Sequence, residues 1–244
     1  MQIIPVIDLM QNQVVHAKFG QRSHYQPIQS KICDSSEPLA ITAALLALYP
    51  FRTLYIADLD AILDLGNHTE AIEKICEKYP QLSIWLDCGV GQMNARVLYQ
   101  SPQIRPVIGS ESITSLQDYR AISYAIHSQH VLSLDYAATS ALGIKELHDA
   151  ARFWPDDTIC MTLNQVGSQL GPNLAQLQVL QQLNLARKNP SRIYAAGGVR
   201  NLDDCLQLKQ LGIAGALVAS ALHNGNIKTR DLIDLKVYES KTMS

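Results

Sequence analysis

Eight short apolar runs rich in β-branched residues recur along the chain, and each is followed by a stretch long enough for an amphipathic helix. The runs lie at 3–8, 53–59, 83–87, 105–109, 130–135, 158–162, 192–196 and 215–219. The helix-length stretches lie at 37–49, 67–79, 91–99, 114–127, 144–153, 173–187, 201–211 and 229–238. Nearly continuous apolar strands that alternate with helices indicate a parallel sheet covered by helices. Eight such units in 244 residues predict a single (β/α)8 TIM barrel over residues 1–244.

Capping residues and one long connection refine this prediction. Asn67, three residues before Glu70, and Asn201, three residues before Asp204, are expected to cap their helices. The stretch 11–36 after the first run reads as an irregular loop, and a loop of that length in a compact domain is usually functional or disordered.

Composition excludes several classes of function. A net charge of −2 gives nucleic acid or an anionic membrane no electrostatic attraction. The five cysteines form no CxxC pair, and the seven histidines show no HxH or HxxxH spacing, so neither a disulfide framework nor a metal site is expected. The first residues do not resemble a signal peptide, and no run of about 18 apolar residues occurs. We therefore expect a soluble, cytoplasmic protein that binds neither nucleic acid nor membranes.

The two halves of the chain echo each other at the ends of equivalent strands. The matched pairs are Ile7-Asp8-Leu9 with Leu134-Asp135-Tyr136, Cys88-Gly89-Val90 with Gly197-Gly198-Val199, and Gly109-Ser110 with Ala219-Ser220. The strings are short, but each pair falls at the carboxyl end of a strand, where TIM barrels carry their chemistry. The pattern predicts a half-barrel that occurs twice.

Asp8 and Asp135 are the strongest catalytic candidates. They end strands on opposite sides of the predicted barrel, so both carboxyl groups are expected to face one cavity. Two carboxyl groups across a substrate can divide the work, because one accepts a proton while the other, kept protonated by its surroundings, donates one. The alternative is that each caps a turn or a helix.

Small residues at the strand ends predict two phosphate sites. One would comprise Gly197, Gly198, Ala219 and Ser220, and the other Gly89, Gly109 and Ser110. Small residues let backbone N–H groups approach a phosphate, although simple tight turns are the alternative for both sets. The second site is the weaker prediction, since Asp87 places a carboxylate beside it. Two phosphate sites with two aspartates between them suggest a long bis-phosphate substrate.

Four further residues are candidates for substrate contacts. On the first loop, Arg22 could clamp a phosphate or carboxylate, Tyr25 lies nearby, and Lys18 is either a solvated cation or a Schiff-base lysine. Of Asp58 and Asp60, one is expected to face the cavity while the other caps the next segment.

Over nearly its whole length the chain resembles the HisA/HisF family of histidine-biosynthesis barrels. The resemblance rests on the segments IIPVIDLMQNQVVHAKFG, LYIADLDAI, VIGSESI, VLSLDY, IYAAGGVRN and ALVASALHNG. The first two look more like HisA, an isomerase, and the last looks more like HisF, a cyclase. His16 stands where such cyclases have a lysine, which argues against cyclase activity.

The resemblance to HisA implies an Amadori rearrangement of an aminoaldose to an aminoketose, with no cofactor or metal. Asp8 would be the base at ribose C2, Asp135 would be the acid that opens the furanose ring, and Thr162 would help to hold the substrate. Gly167 and Ser168 would correspond to a phosphate-binding loop that usually reads Asp-Gly-Thr. The family resemblance also implies a monomer.

Departures from the family pattern leave other functions open. The third strand is followed by Asp87-Cys88-Gly89 instead of a run of glycines, and Val166-Gly167-Ser168 lacks the usual carboxylate. HisA-like paralogues with such features occur in methanogens and methylotrophs, in association with methanopterin or methanofuran synthesis. A lyase or condensing enzyme of that type, using Lys18 or the acid pair, is the main alternative. A non-catalytic partner of another protein is a third possibility.

Overall fold

The computed structural model describes residues 1–17, 22–89, 101–126, 129–137, 140–168 and 170–241. Its strands are β1 (Gln2–Met10), β2 (Gln13–Val15), β3 (Thr53–Asp58), β4 (Ser83–Asp87), β5 (Ile104–Gly109), β6 (Val131–Tyr136), β7 (Asp157–Thr162), β8 (Arg192–Ala196) and β9 (Gly215–Val218). Strands β1 and β3 to β9 pair in parallel, and β9 pairs with β1, which closes an eight-stranded barrel. The predicted TIM barrel is confirmed, and its eight strands coincide with the eight apolar runs.

Helices follow the strands as expected. They are α1 (Pro38–Leu48), α2 (Leu59–Ile62), α3 (Thr69–Lys78), α4 (Leu116–Ala125), α5 (Lys145–Asp149), α6 (Leu174–Asn184), α7 (Leu202–Gln210), α8 (Ser220–His223) and α9 (Thr229–Lys241). The helix predicted at 144–153 is divided, because Ala150 is extended between α5 and a 3-10 turn at Ala151–Phe153. The helix predicted at 91–99 lies outside the described residues. Within the described ranges, no helix is long and apolar enough to cross a membrane.

One of the two predicted helix caps is confirmed. Asn201 is the N-cap of α7, and its side-chain oxygen accepts from the backbone N–H of Asp204 at 3.0 Å. The prediction for Asn67 is confirmed in part: its side-chain oxygen accepts from the backbone N–H of Thr69, the first residue of α3, at 3.2 Å, but His68 occupies the N-cap position. A contact outside the helix explains this start: the backbone N–H of His68 donates to the buried Asp58 carboxylate at 2.7 Å.

The described part of the first connection, residues 11–17 and 22–36, contains regular structure where the sequence predicted an irregular loop. It contains β2, which is antiparallel to β1, and a 3-10 turn at Arg22–His24. Two backbone N–H groups of the turn between β1 and β2 form hydrogen bonds to side chains. The N–H of Gln11 donates to Asp60 Oδ2 at 2.9 Å, and the N–H of Asn12 donates to His68 Nε2 at 3.0 Å. Asp60 and His68 therefore hold in place the turn that joins β1, the strand that carries Asp8, to β2.

Alternate side chains along each strand point to opposite faces of the sheet, so they form one apolar layer toward the helices and another inside the barrel. Ile3 faces outward to the helices, whereas Ile4 packs inside the barrel with Tyr55, Trp85 and Tyr194. The barrel interior is therefore a packed core below the mouth.

An ion-pair network around a buried aspartate closes the amino end of the barrel. Asp157, which begins β7, is wholly buried, and its Oδ2 accepts from Arg105 at 2.6 Å and from Arg192 at 2.7 Å. The network joins β5, β7 and β8 at the end opposite the barrel mouth.

Candidate active site

A cavity of about 290 Å³ opens at the carboxyl ends of the strands. Four carboxylate side chains line it, from Asp8 on β1, Asp87 on β4, Glu111 after β5 and Asp135 on β6. In the ring of eight strands, β1 and β6 are four strands apart. Asp8 and Asp135 therefore enter one cavity from opposite sides of the barrel, as the sequence predicted.

Asp135 is buried within a set of hydrogen bonds. Its Oδ1 accepts from the Ser133 hydroxyl at 2.6 Å, and its Oδ2 accepts from the backbone N–H of Glu111 at 3.1 Å and from the Ser110 hydroxyl at 3.3 Å. The backbone N–H of Asp135 in turn donates to Ser110 Oγ at 2.9 Å. These bonds fix the position of the carboxyl group.

Burial raises the pKa of Asp135 to about 7, because a charged carboxylate loses its hydration. The bonds from Ser133 and the Glu111 N–H lower this pKa, and the nearby carboxylates of Asp87 and Glu111 raise it. Asp135 is thus a carboxyl group that holds its proton at a pH where ordinary aspartates have lost theirs.

Tyr55 lies among three of the carboxylates. It is 3% exposed, and its hydroxyl donates to Asp87 Oδ2 at 3.2 Å. Burial and then the charges of Asp87, Asp135 and Asp8 raise its pKa well above the usual value. The phenol therefore stays protonated and serves as a hydrogen-bond donor in the cavity wall.

The residues of the first predicted phosphate site lie together at the ends of β8 and β9. Gly197, Gly198, Ala219 and Ser220 line the cavity together. Gly197 has φ +95° and Gly198 has φ +83°, and a Cβ on Gly198 would lie 2.1 Å from the Gly171 carbonyl oxygen. Only glycine fits there, so the backbone approaches the cavity without side chains.

Gly167 and Ser168 also line the cavity, which places them near the predicted phosphate loop. His16 reaches the same region, and its Nε2 lies 3.2 Å from Ser220 Oγ. Tyr25 is in the cavity wall as well. Lys18 and the side chain of Arg22, which were predicted to contact substrate, lie outside the described part of the chain.

The residues predicted to form the second phosphate site serve the carboxylates instead. Gly89, Gly109 and Ser110 do not line the cavity. The backbone N–H of Gly89 donates to Asp87 Oδ1 at 3.3 Å, and the Ser110 hydroxyl is wholly buried against Asp135. Gly109 gives Asp135 room, since a Cβ there would lie 3.2 Å from Asp135 Oδ2.

Asp58 and Thr162 are also placed away from the cavity. The Asp58 carboxylate accepts from Ala61 N at 3.1 Å, from His68 N at 2.7 Å and from His68 Nδ1 at 2.7 Å, so it caps α2 and anchors His68. The expectation that Asp58 or Asp60 faces the cavity is wrong, because neither lines it. Thr162 is 3% exposed and forms part of the barrel wall behind the cavity.

Several cavity residues were not among the predicted site residues. Asp87 is the last residue of an apolar run, as Asp8 and Asp135 are of theirs, so the same pattern could have selected it. Tyr55 lies within an apolar run, and His223 lies in a short helix, so neither carried a local signal. Among the described residues, no group of three or more His, Cys, Asp or Glu side chains is placed to hold a metal ion.

Comparison with known proteins agrees with this architecture. The family described as histidine biosynthesis protein matches residues 2–228. An uncharacterized protein of Methanocaldococcus jannaschii is 30% identical over 244 residues, which cover 96% of this chain and 98% of that protein.

Two relatives with named activities are similarly distant. Isomerases of 1-(5-phosphoribosyl)-5-((5-phosphoribosylamino)methylideneamino)imidazole-4-carboxamide from Listeria innocua and Bacillus cytotoxicus are 28% and 27% identical. The first alignment covers 97% of this chain and 98% of the relative, and the second covers 95% and 96%. With its barrel, its strand-end carboxylates and its match over residues 2–228, the chain belongs to the histidine biosynthesis protein family.

Proposed function

We propose that this protein is an isomerase that converts a phosphorylated ribosylamine into the corresponding aminoketose by an Amadori rearrangement. Asp135 is the general acid and Asp8 is the general base. The observation that most supports this proposal is the pairing of Asp8 with a buried, proton-retaining Asp135 across one cavity. The isomerase relatives act on a substrate that contains a phosphoribosylamino group, which supports the same substrate class.

The first step uses the proton of Asp135. Transfer of this proton to the ring oxygen breaks the bond between that oxygen and C1, while the nitrogen lone pair forms a C=N bond. The sugar is then an open-chain iminium ion, and Asp135 is a carboxylate. Its hydrogen bonds from Ser133 and Glu111 N favour that charged form once the proton has left.

The second step uses Asp8 as the base. The iminium ion makes the proton on C2 acidic, and Asp8 removes it, so that the C–H electron pair forms a C1–C2 double bond and the C=N pair returns to nitrogen. Protonation of C1 and loss of the proton from the C2 hydroxyl give the ketone. Together the two steps isomerise the substrate with no net gain or loss of atoms, so the reaction needs only groups that donate and accept protons.

The phosphate of the substrate would lie at the ends of β8 and β9. Gly197 and Gly198 leave their backbone open to the cavity there, and Ser220 adds a hydroxyl group. Binding energy from such a remote group helps to hold the sugar in position for proton transfer.

A turnover assay with a pH profile tests the proposal. We expect formation of aminoketose from the isomerases' substrate, or from its analogue with phosphate only on the ribose that rearranges. Because catalysis needs protonated Asp135, whose pKa is raised to about 7, turnover should fall about ten-fold per pH unit above that value. Ser133→Ala removes a bond that lowers the pKa of Asp135, so the alkaline limb should move to higher pH. Turnover of neither compound, or turnover that rises through pH 8, would contradict the proposal.

The second candidate is a lyase or condensing enzyme of one-carbon cofactor synthesis. It is favoured by Asp87 and Glu111, carboxylates that line the cavity on the side where a second phosphate was predicted. Such an enzyme would use the same acid pair or Lys18 on a different phosphorylated carbonyl compound. It would leave the hydrogen on C2 of a ribosylamine in place.

A further inference from the structure

We infer that His68 is a positioning residue that holds the turn between β1 and β2 only while its ring is neutral. Protonation of the imidazole releases the turn and loosens the cavity wall that the turn supports. The inference goes beyond the proposed function, because it concerns this wall and not the reaction inside it. It rests on the contacts of the turn Gln11–Asn12 with Asp60 and His68, and on Asp58 behind them.

The turn consists of two residues in an uncommon backbone conformation. Gln11 has φ +50° and Asn12 has φ +62°, in the left-handed region that favours glycine. Residues other than glycine persist there when surrounding contacts hold them. The N–H of Gln11 donates to Asp60 Oδ2 at 2.9 Å, and the N–H of Asn12 donates to His68 Nε2 at 3.0 Å. The conformation of the turn therefore depends on these two side chains.

The bond from Asn12 determines where the ring of His68 carries its proton. A backbone N–H can only donate, so Nε2 accepts with its lone pair and carries no hydrogen in this arrangement. The proton of the neutral ring then lies on Nδ1, which donates to Asp58 Oδ1 at 2.7 Å. Asp58 also accepts from the backbone N–H of His68 at 2.7 Å, which fixes the ring further. A second proton, on Nε2, is incompatible with the bond from Asn12.

Two carboxylates nevertheless favour that second proton. Asp58 is hydrogen-bonded to Nδ1 of His68, and Asp60 Oδ2 lies 3.4 Å from Nε2. Burial lowers the pKa of His68, but the hydrogen bond and charge of Asp58 and the charge of Asp60 outweigh it and raise that pKa above 6.5. On α3, which His68 precedes, Glu70 and Lys74 pair with each other. The ring is therefore expected to gain its charge as the pH falls toward 6.5.

Release of the turn reaches the cavity through β2. Val15 of this strand lies opposite Asp8 in the hairpin, and both residues line the cavity. When His68 is charged, its Nε2–H can bind Asp60, and Asn12 is left without its acceptor. The hairpin that carries Val15 then loses a contact that holds it against the barrel.

Nuclear magnetic resonance of the protein without any ligand tests the inference. Resonances of ¹⁵N-labelled histidine report the protonation of each ring nitrogen, and hydrogen exchange reports the protection of the Asn12 amide relative to an unstructured peptide. At high pH we expect His68 to be protonated on Nδ1 alone and the Asn12 amide to be protected. As the ring gains its second proton, this protection should fall about ten-fold, because one hydrogen bond is lost. The Asp204 amide, which donates to Asn201 at 3.0 Å in α7, is the internal control and should keep its protection.

Two substitutions at position 68 separate the role of Nε2 from that of Nδ1. In His68→Gln the side-chain amide reaches the place of Nε2 and does not titrate, so the Asn12 amide should stay protected with no step in pH. In His68→Asn the shorter amide replaces Nδ1 only. It should keep the bond to Asp58 and leave the Asn12 amide weakly protected at every pH.

Four outcomes would overturn the inference. They are a neutral His68 ring protonated on Nε2, a ring that gains no second proton while the protein stays folded, unchanged protection of the Asn12 amide as the ring is protonated, and a fall of the same size in His68→Gln. The first three need only the unaltered protein, so they decide the question even if a variant does not fold. Since no substrate is used, the result is independent of the turnover assay.

Discussion

Asp8→Asn and Asp135→Asn are each expected to lower turnover by about 10³-fold, because general acid and general base catalysis each contribute about 10² to 10⁴. An amide at position 8 cannot take the proton from C2, and an amide at position 135 has no acidic proton to give to the ring oxygen. Both changes keep the size of the side chain. Turnover per folded molecule, measured with the phosphorylated ribosylamine, is the quantity to compare.

Both variants should fold. At position 135 the pKa shift also predicts how the free energy of unfolding depends on pH. The pKa of Asp135 is raised from 3.8 to about 7 on folding, so its protonated form stabilises the fold fully at pH below 3.8. That contribution is lost as the pH rises through about 7. An asparagine does not titrate, so Asp135→Asn should be at least as stable as the unaltered protein at pH 8.

Asp156→Asn is the matched control for these variants. Asp156 is exposed just before β7, at the end of the barrel away from the cavity, and its replacement should leave turnover unchanged. Turnover within about ten-fold of the unaltered enzyme in both cavity variants would contradict the roles of Asp8 and Asp135.

Asp157→Asn should lower the free energy of unfolding by about 3 kcal/mol, the second large effect that we predict, because two hydrogen bonds to a charged acceptor are weakened. The wholly buried carboxylate accepts from Arg105 on β5 and from Arg192 on β8, and the amide leaves both guanidinium groups without their counter-charge. The Arg105 and Arg192 side chains are partly exposed, so the cost comes from the two hydrogen bonds to a charged acceptor, each worth about 1.5 to 3 kcal/mol, which a neutral amide weakens. Urea unfolding followed by circular dichroism measures the change.

The neighbouring Asp156→Asn again serves as the control, since an exposed aspartate should change stability by less than about 0.5 kcal/mol. Turnover per folded molecule should be normal in Asp157→Asn, because the network lies at the amino end of the barrel. A loss no larger than that of the control would show that the two arginines do not depend on Asp157.

Much of the fold could be predicted from the sequence because the signal is periodic and local. The runs at 83–87 and 192–196 coincide residue for residue with β4 and β8, since buried parallel strands consist of continuous apolar segments. Asp8 and Asp135 could be predicted for the same reason, because a polar residue at the carboxyl end of such a run lies at the barrel mouth.

Other features depend on contacts between distant segments. Asp58 ends β3 and Asp60 follows it, and the sequence could not show that His68 binds Asp58 or that the turn at Gln11 binds Asp60. Similarly, Ser110 was predicted to bind phosphate, but its hydroxyl bonds to Asp135, 25 residues further along the chain. A small residue at a strand end predicts room for a ligand, and here the neighbouring carboxyl group fills that room.

The fate of a deuterium atom at C2 tests the central claim most directly. The substrate is a phosphorylated ribosylamine with deuterium on C2 of the ribose that rearranges, and the product is analysed by NMR and mass spectrometry. If Asp8 removes the C2 proton, the product is a ketone that carries no deuterium at C2, and turnover is slowed by the label. Product that retains deuterium at C2 would contradict the isomerase account and favour a lyase or condensing reaction in the same cavity.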